Sequence, residues 1–118
     1  VIVHLQGELV RAEDARVSPF DRGFLFGDGV YEGVRAADGV LVGLEAHVER
    51  MRQGLGEARI SGFDVELLGE MSIGLLEANK LADAFVYWQV TRGTPRVTRS
   101  VPTSNRACMI VDIRLAGE

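Results

Sequence analysis

The hydrophobic pattern changes period along the chain, and this change constrains the fold more than any other feature of the sequence. Apolar and polar residues alternate through residues 30–37, whereas apolar residues recur at helical spacing through 44–58 and 65–75. Alternation is typical of a half-buried strand, and the longer spacing is typical of an amphipathic helix. The order predicts an α+β fold, a two-layer sandwich in which two helices cover one face of a mostly antiparallel sheet. The predicted strands are residues 1–5, 8–11, 30–37, 40–42, 84–92 and 107–115.

Glycine, proline and a capping residue mark the boundaries of these segments. Gln6-Gly7 and Asp38-Gly39 each separate two predicted strands by two residues, which is the pattern of a tight hairpin. Asp64 precedes the second helical segment as a candidate N-cap. Pro95 and Pro102 predict a loop between the last two strands.

Composition limits the classes of protein to which the chain can belong. Its 118 residues are 47% hydrophobic, which suits one domain with a core. A net charge of −4 argues against nucleic-acid binding, and no apolar run approaches the roughly 20 residues of a membrane helix. Cys108 is the single cysteine, so no intrachain disulfide is possible and a reducing cytoplasm is the expected location. Because the chain begins with valine, we expect that it was processed or trimmed.

Strand alternation gathers hydrogen-bonding side chains on one face of the sheet. In the 30–37 strand, Tyr31, Gly33 and Arg35 point to the face opposite the valines. In the 84–92 strand, Tyr87 and Gln89 again oppose the apolar set. If both strands belong to one sheet, Tyr31 and Tyr87 line a common wall that suits a substrate. The alternative is that the two tyrosines lie at a sheet edge or a subunit contact.

A cluster of arginines stands out in an acidic chain. Residues 84–111 contain no aspartate or glutamate. Guanidinium groups bind carboxylates or phosphates through paired hydrogen bonds, so this segment could hold an anionic substrate. The alternative is a solvated loop whose cations pair with acids elsewhere. The arginines of the cluster are Arg92, Arg96, Arg99 and Arg106.

Three segments resemble the signature of one enzyme family. They are DRGFLFGDGVYEGVR at residues 21–35, LEAHVER at 44–50 and YWQVTRG at 87–93. Their sequence and order are similar to those of the fold-type IV aminotransferases, which use pyridoxal phosphate. The resemblance implies the small N-terminal domain of a larger, usually homodimeric enzyme, with residues 1–118 forming that domain. In the family, the 92–106 loop reaches the neighbouring subunit's site.

The resemblance also assigns roles to individual residues. Tyr31 matches the active-site tyrosine of the family, and Tyr87 is a further candidate for substrate binding. Arg50 matches the arginine that binds the cofactor phosphate. Without the family, Arg50 would be interpreted as a surface residue of the first helix that pairs with nearby acids. Those acids are Glu45, Glu49 and Glu57.

The arginine-rich loop matches the family only in part. Arg96 corresponds to the carboxylate-binding arginine of D-amino-acid aminotransferases. In those enzymes a histidine follows two residues later, but Thr98 stands here, with Arg99 next. We therefore expect Arg96 and Arg99 to bind the substrate carboxylate, although the family's contact cannot be transferred unchanged.

The lysine that holds the cofactor as a Schiff base in this family has no counterpart here. Lys80 is the only lysine, and its surroundings do not resemble the lysine-bearing segment of the family. We expect that lysine in a larger domain after Glu118, so no catalytic residue is assigned and the chain alone is predicted to be inactive. His4 and His47 are the only histidines, too few for a metal-site prediction.

The resemblance predicts transfer of an amino group between an amino acid or amine and a 2-oxo acid. Val30-Tyr31-Glu32 and residues 89–93 look more like the D-amino-acid or (R)-amine branch, whereas Gly33 also fits the branched-chain enzymes. A branched-chain aminotransferase and an aminodeoxychorismate lyase, which has the same fold and cofactor, remain open. So does a stand-alone, non-catalytic interaction module. A second domain encoded after Glu118 would favour an enzyme, and a stop codon there would favour the module.

Overall fold

The fold is a six-stranded sheet covered by helices on one face. The computed structural model describes residues 1–95 and the backbone of residues 108–114. Each adjacent pair of strands is antiparallel. The predicted α+β sandwich is therefore confirmed. The strands are β1 (Ile2–Leu5), β2 (Glu8–Arg11), β3 (Gly29–Ala37), β4 (Val40–Leu41), β5 (Ala84–Thr91) and β6 (Cys108–Arg114). The helices are α1 (Arg22–Phe26), α2 (Leu44–Ala58) and α3 (Leu68–Ala78).

The strand order places the first and last strands of the chain side by side. In the order β2-β1-β6-β5-β3-β4, β6 lies between β1 and β5. The β3–β5 pair extends over eight positions, from Gly29 opposite Thr91 to Ala36 opposite Ala84. β4 pairs with β3 only at Ala36 and Ala37. The first part of β3 therefore has a strand partner on one side only among the described residues.

Both predicted hairpin turns are present. Gln6 and Gly7 have φ angles of 51° and 92°, and Asp38 and Gly39 have φ angles of 50° and 74°. Two central residues with positive φ define the tight turn whose twist matches that of the flanking strands. These dipeptides therefore set the register of the β1–β2 and β3–β4 hairpins.

The helices α2 and α3 pack on the face of the sheet that carries the valines. Met51 and Leu55 of α2 are buried in one cluster with Val34 of β3 and Val86 of β5. Asp64 accepts a hydrogen bond from the backbone N–H of Glu66, capping a short 3₁₀ turn that leads into α3. The predicted capping role of Asp64 is confirmed, although the first turn is 3₁₀ instead of α.

A buried polar contact joins α3 to the centre of the sheet. Trp88, in β5, is fully buried, and its indole Nε1 donates a hydrogen bond to Oγ of Ser72 at 2.8 Å. Ser72 is also fully buried. Because the hydroxyl satisfies the indole N–H, a tryptophan can occupy the core without an unpaired donor.

The short helix α1 was not predicted. Asp21 caps it by accepting from the backbone N–H of Gly23, and Gly27 ends it in the left-handed conformation with φ 65°. Phe24 and Phe26 are 75% and 68% exposed. Helix α1 therefore presents aromatic side chains to the surface. No helix in the described part of the chain is long and apolar enough to cross a membrane.

Candidate functional site

The two tyrosines predicted to share a face of the sheet lie against each other. The ring centroids of Tyr31 and Tyr87 are 5.7 Å apart, and the ring planes are inclined by 23°. In the β3–β5 ladder Tyr31 is opposite Gln89 and Gly33 is opposite Tyr87, so the two rings meet as diagonal neighbours. The common wall is present. A role of either tyrosine in substrate binding stays a prediction.

This wall is aromatic and open to solvent. Tyr31 is 68% exposed. The ring of Phe85 lies over Gly33, where an added Cβ would be 2.1 Å from Cζ of the ring. Gly33 therefore leaves room for an aromatic row along the outer face of β3 and β5.

On the opposite face, Glu32 anchors two side chains of α2. Its Oε2 lies 2.7 Å from Nδ1 of His47, and its Oε1 lies 3.1 Å from Nε of Arg50. An ionised carboxylate can only accept hydrogen bonds, so Nδ1 of His47 carries the proton in this contact. The Glu32 side chain is only 9% exposed. A buried carboxylate is stable here because both of its oxygens have a partner.

The role of Glu32 was not predicted from the sequence. The sequence nevertheless contains a usable signal, since Glu32 is the one acid in the inward-pointing set of β3, beside Val30, Val34 and Ala36. An acid in a buried strand face requires a cationic or hydrogen-bonding partner. The acids considered as partners of Arg50 from helical spacing were on α2 itself, but its ion pair is with β3.

Arg50 retains unused hydrogen-bond donors. Its side chain is 69% exposed, and within the described residues its only ion pair is through Nε. The two terminal nitrogens can therefore donate to a further anion while Nε stays with Glu32. A guanidinium oriented in this way suits the phosphate of a cofactor, so the residues present fit the group that the sequence predicts.

A second carboxylate, Asp28, lies directly before β3 and is shared by two arginines. Its Oδ2 accepts hydrogen bonds from Nε of Arg92 at 2.7 Å and from Nε of Arg22 at 2.9 Å. Arg92, and after it Arg22, lowers the pKa of Asp28 below its ordinary value by hydrogen bonding. The ionised carboxylate of Asp28 therefore holds this turn through charge-assisted hydrogen bonds.

Arg92 is not available as part of a substrate clamp. Its Nη2 donates to the carbonyl of Ala58 at 2.7 Å, and its Nη1 donates to the carbonyl of Arg59 at 3.0 Å. Together with Asp28, these acceptors occupy all three nitrogens of the guanidinium. The strand ends at Thr91 instead of Arg92, and one member of the predicted cation cluster serves to hold the end of α2.

Backbone contacts join the segments at 21–29 and 91–93. The N–H of Arg92 donates to the carbonyl of Asp28 at 3.1 Å, and the N–H of Arg22 donates to the carbonyl of Gly93 at 2.9 Å. Gly23 packs so closely on Thr91 that a Cβ would be 2.2 Å from its Cγ2. Since Glu32 also contacts His47 and Arg50, the segment at 21–35 touches both of the other segments that carry the family resemblance.

The remaining predicted site residues fall into two groups. Arg96 and Arg99, together with Thr98, lie outside the described residues, so the predicted carboxylate contact stays a prediction. Lys80 is exposed, lies two residues beyond α3 and has a φ of 55°. No group of three or more His, Cys, Asp or Glu side chains within the described ranges is arranged to hold a metal ion.

Comparison with known proteins identifies the family. The chain is 40% identical over 102 residues to a D-alanine aminotransferase of Staphylococcus epidermidis and 41% identical over 95 residues to a putative branched-chain-amino-acid aminotransferase of Methanocaldococcus jannaschii. Its fold matches the branched-chain amino acid aminotransferase of Escherichia coli with a TM-score of 0.86 at 22% identity, covering 97% of this chain and 39% of that one. The chain belongs to the fold-type IV aminotransferases. No family model matches it.

The match to fold-type IV aminotransferases covers most of this chain and a minor part of its relatives. It includes 86% of this chain but 36% of the length of the Staphylococcus epidermidis protein, and 77% and 32% in the Methanocaldococcus jannaschii comparison. The 4-amino-4-deoxychorismate lyase of Pseudomonas aeruginosa has the same fold, with a TM-score of 0.78 at 24% identity over 96% of this chain and 39% of that one. The chain corresponds to the small N-terminal domain of the fold.

Proposed function

We propose that this chain forms the N-terminal domain of a pyridoxal-phosphate-dependent aminotransferase. The complete protein would transfer an amino group between an amino acid or amine and a 2-oxo acid, with a D-amino acid or an (R)-amine as the favoured donor. The observation that carries the proposal is Arg50, whose Nε is fixed by a buried carboxylate while its terminal nitrogens have no ion pair within the part of the chain that the structure describes. The similarity to a D-alanine aminotransferase supports the choice of donor.

Arg50 would hold the phosphate of the cofactor. Glu32, which also contacts His47, keeps the guanidinium of Arg50 in one orientation, and this reduces the conformational freedom lost on binding. Two parallel N–H donors match the oxygens of a phosphate. When bound, pyridoxal phosphate supplies the electron sink that makes transfer of an amino group possible.

Tyr31 and Tyr87 would form the substrate wall. Their stacked rings exclude water from one side of a substrate, and the phenol of Tyr31 can donate or accept a hydrogen bond at its edge. Arg96 and Arg99 would bind the substrate carboxylate. Thr98, in the place of the family's histidine, leaves Arg99 to supply the second contact.

The lysine that binds the cofactor would lie in the part of the protein that follows residue 118. On that basis the 118-residue chain by itself would have no transaminase activity. The family resemblance supports a homodimer as the complete form, and the single cysteine, Cys108, supports a cytoplasmic location.

The test of the cofactor role is Arg50→Ala in the full-length protein. Loss of a charge-assisted phosphate contact should cost about 1.5–3 kcal/mol, which is roughly tenfold or more in affinity for pyridoxal phosphate. Arg52→Ala is the matched control, because Arg52 lies on the same helix but pairs with Glu49 and Glu66. Unchanged affinity in Arg50→Ala would return Arg50 to the role of a surface ion-pair residue.

The test of the substrate role compares amino acids with simple amines. Arg96→Lys keeps the charge and loses the paired donors, so the KM for amino acids should rise while the KM for amines, which lack a carboxylate, stays nearly constant. Arg99→Lys should do the same if Arg99 replaces the missing histidine. An equal change for both substrate classes would show that the loop acts through structure instead of carboxylate binding.

A branched-chain aminotransferase is the second candidate. The 41% identity to a putative enzyme of that kind and the presence of Gly33 favour it. Assays with D-alanine, L-leucine and an (R)-amine as donors would separate the two, since each enzyme class should prefer one handedness. Activity with L-leucine alone would favour the branched-chain enzyme.

A further inference from the structure

The side chain of Arg92, one residue after β5, bonds to two segments that are distant in the sequence. Its guanidinium reaches Asp28, before β3, and the backbone carbonyls of Ala58 and Arg59 at the end of α2. The side chain is 22% exposed, so it is mostly removed from water. A single residue therefore joins the last turn of α2 to the turn that opens β3.

The end of α2 needs a partner of this kind. The last carbonyls of a helix receive no hydrogen bond from an N–H of the same helix, and they carry the partial negative charge of the helix dipole. The last turn of α2 contains no basic residue of its own. Arg59, which ends the helix, is in the left-handed conformation with φ 54°, unusual for a residue other than glycine. Arg92 supplies both hydrogen bonds and a positive charge at this end.

The middle of α2 lies very close to β3. A Cβ on Gly54 would be 2.7 Å from Cγ1 of Val30, so the helix backbone rests on that valine. His47 and Arg50 are attached to Glu32 on the N-terminal side of this contact, and Arg92 holds the helix on the C-terminal side. The contact of Gly54 with Val30 therefore lies between the two attachments of the helix.

The spacing of these attachments makes the angle of α2 sensitive to either one. The helix has 15 residues and is about 22 Å long at about 1.5 Å per residue. Release of the C-terminal end would let α2 tilt about the Gly54–Val30 contact and would move Arg50 relative to the strand that carries Tyr31. Small displacements of a binding group reduce the strength of a directional contact.

We propose that Arg92 is a positioning residue for the phosphate contact of Arg50. By holding the C-terminal end of α2 against Asp28, it fixes the angle of the helix that presents Arg50. This inference rests on the proposed phosphate role of Arg50. Each of the three nitrogens of Arg92 already donates to an acceptor of the protein, so its effect on the cofactor would be transmitted through α2.

The experiment compares pyridoxal phosphate with pyridoxal, which lacks the phosphate. The affinity of the full-length apoprotein for each compound is measured by absorbance in the wild type and in Arg92→Lys, whose single ammonium cannot reach all three acceptors. The expected result is a decrease of about threefold to tenfold in the preference for the phosphorylated compound. Arg52→Lys makes the same chemical change on the far side of α2 and should leave the preference unchanged.

A merely structural role of Arg92 would lower the affinity for both compounds equally, and that result would overturn the inference. Asp28→Asn is the second variant, since it keeps the contacts of Arg92 with the two carbonyls while weakening its anchor. It should give a smaller decrease in preference, and no decrease in either variant would also overturn the inference. Arg50→Ala in the same assay distinguishes failure of the positioning role of Arg92 from failure of the phosphate role of Arg50. If it abolishes the preference while Arg92→Lys leaves it intact, only the positioning role fails, whereas an intact preference in Arg50→Ala overturns both.

Discussion

Asp28 and Glu32 are four residues apart, and each binds two side chains from other segments, but Arg92 and Arg50 differ in the hydrogen-bond donors that they have left to offer. Arg92, on Asp28, uses all three guanidinium nitrogens on acceptors of the protein and is 22% exposed. Among the described residues Arg50, on Glu32, uses Nε alone, and its side chain is 69% exposed. The guanidinium of Arg92 is therefore closed to a further anion, whereas that of Arg50 is open.

The difference shows that charge alone does not identify a binding arginine. Both residues are cations beside a carboxylate in the same half of the domain. What separates them is the number of donors that the protein leaves unsatisfied, because only those can bind a ligand without breaking an existing contact. Arg92 contributes to stability and geometry, and Arg50 is the residue with capacity for an anion.

Arg92→Ala should have the largest effect on stability. It removes two bonds to helix carbonyls and one charge-assisted bond to Asp28, so the free energy of unfolding should fall by about 2–3 kcal/mol. Urea denaturation measures the change. Arg11→Ala, which removes an exposed arginine that pairs with Glu13, is the control and should change stability by about 0.5 kcal/mol or less. Equal effects of the two variants would show that the three hydrogen bonds of Arg92 stabilise the fold no more than an exposed ion pair does.

Glu32→Gln should have the next largest effect. The amide keeps the shape and one acceptor but loses the charge that holds Arg50 and His47, so the free energy of unfolding should fall by about 1–2 kcal/mol. Glu66→Gln is the matched control, because Glu66 is an exposed partner of Arg52. If Glu32→Gln were as stable as the control, the contacts of Glu32 with Arg50 and His47 would not depend on the charge of its carboxylate.

The acid dependence of stability should reveal Asp28. Its pKa is lowered in the folded state, so the unfolded chain binds the proton first as the pH falls. The stabilisation is therefore complete above the ordinary value of 3.8 and is lost as the pH falls below it through the folded pKa. Unfolding measured against pH should show a flatter acid limb in Asp28→Asn than in the wild type. Asp38→Asn, at an exposed turn position, should keep the wild-type profile, and a similar flattening there would remove the assignment to Asp28.

Lys80→Ala should have no effect on cofactor binding. Lys80 is exposed beyond the end of α3, and within the described residues it forms no ion pair with Asp28 or Glu32. Titration of the 118-residue chain with pyridoxal phosphate should therefore give no saturable visible absorbance band that depends on this lysine. A stoichiometric band that disappears in Lys80→Ala would show that the chain binds the cofactor covalently by itself.

Local periodicity predicted the strands, the two longer helices and one face of the candidate site. The side-chain period of a strand is fixed at two, so the shared face of Tyr31 and Tyr87 follows from their positions once the two strands are neighbours. The hairpin at Asp38-Gly39 follows from residues that tolerate positive φ. These features depend on a few consecutive residues.

The charged clusters could not be predicted in this way, because they depend on contacts between distant parts of the chain. The pair of Glu32 with Arg50 requires knowledge of which strand α2 covers, and the bonds of Arg92 to α2 require the path of the helix over the sheet. Helix α1 is similar. A five-residue helix is unstable alone, and this one is held by Asp21 and by the bond between Arg22 and Gly93.

The contact between Trp88 and Ser72 gives the protein a built-in optical probe. Trp88 is the only tryptophan of the chain, and it pairs with Glu32 across the β3–β5 ladder. Its fluorescence therefore comes from one known place, the layer between the sheet and α3. Emission should be at short wavelength in the native protein and should shift to longer wavelength only when that layer opens to water, so a single spectrum follows the helices as they leave the sheet.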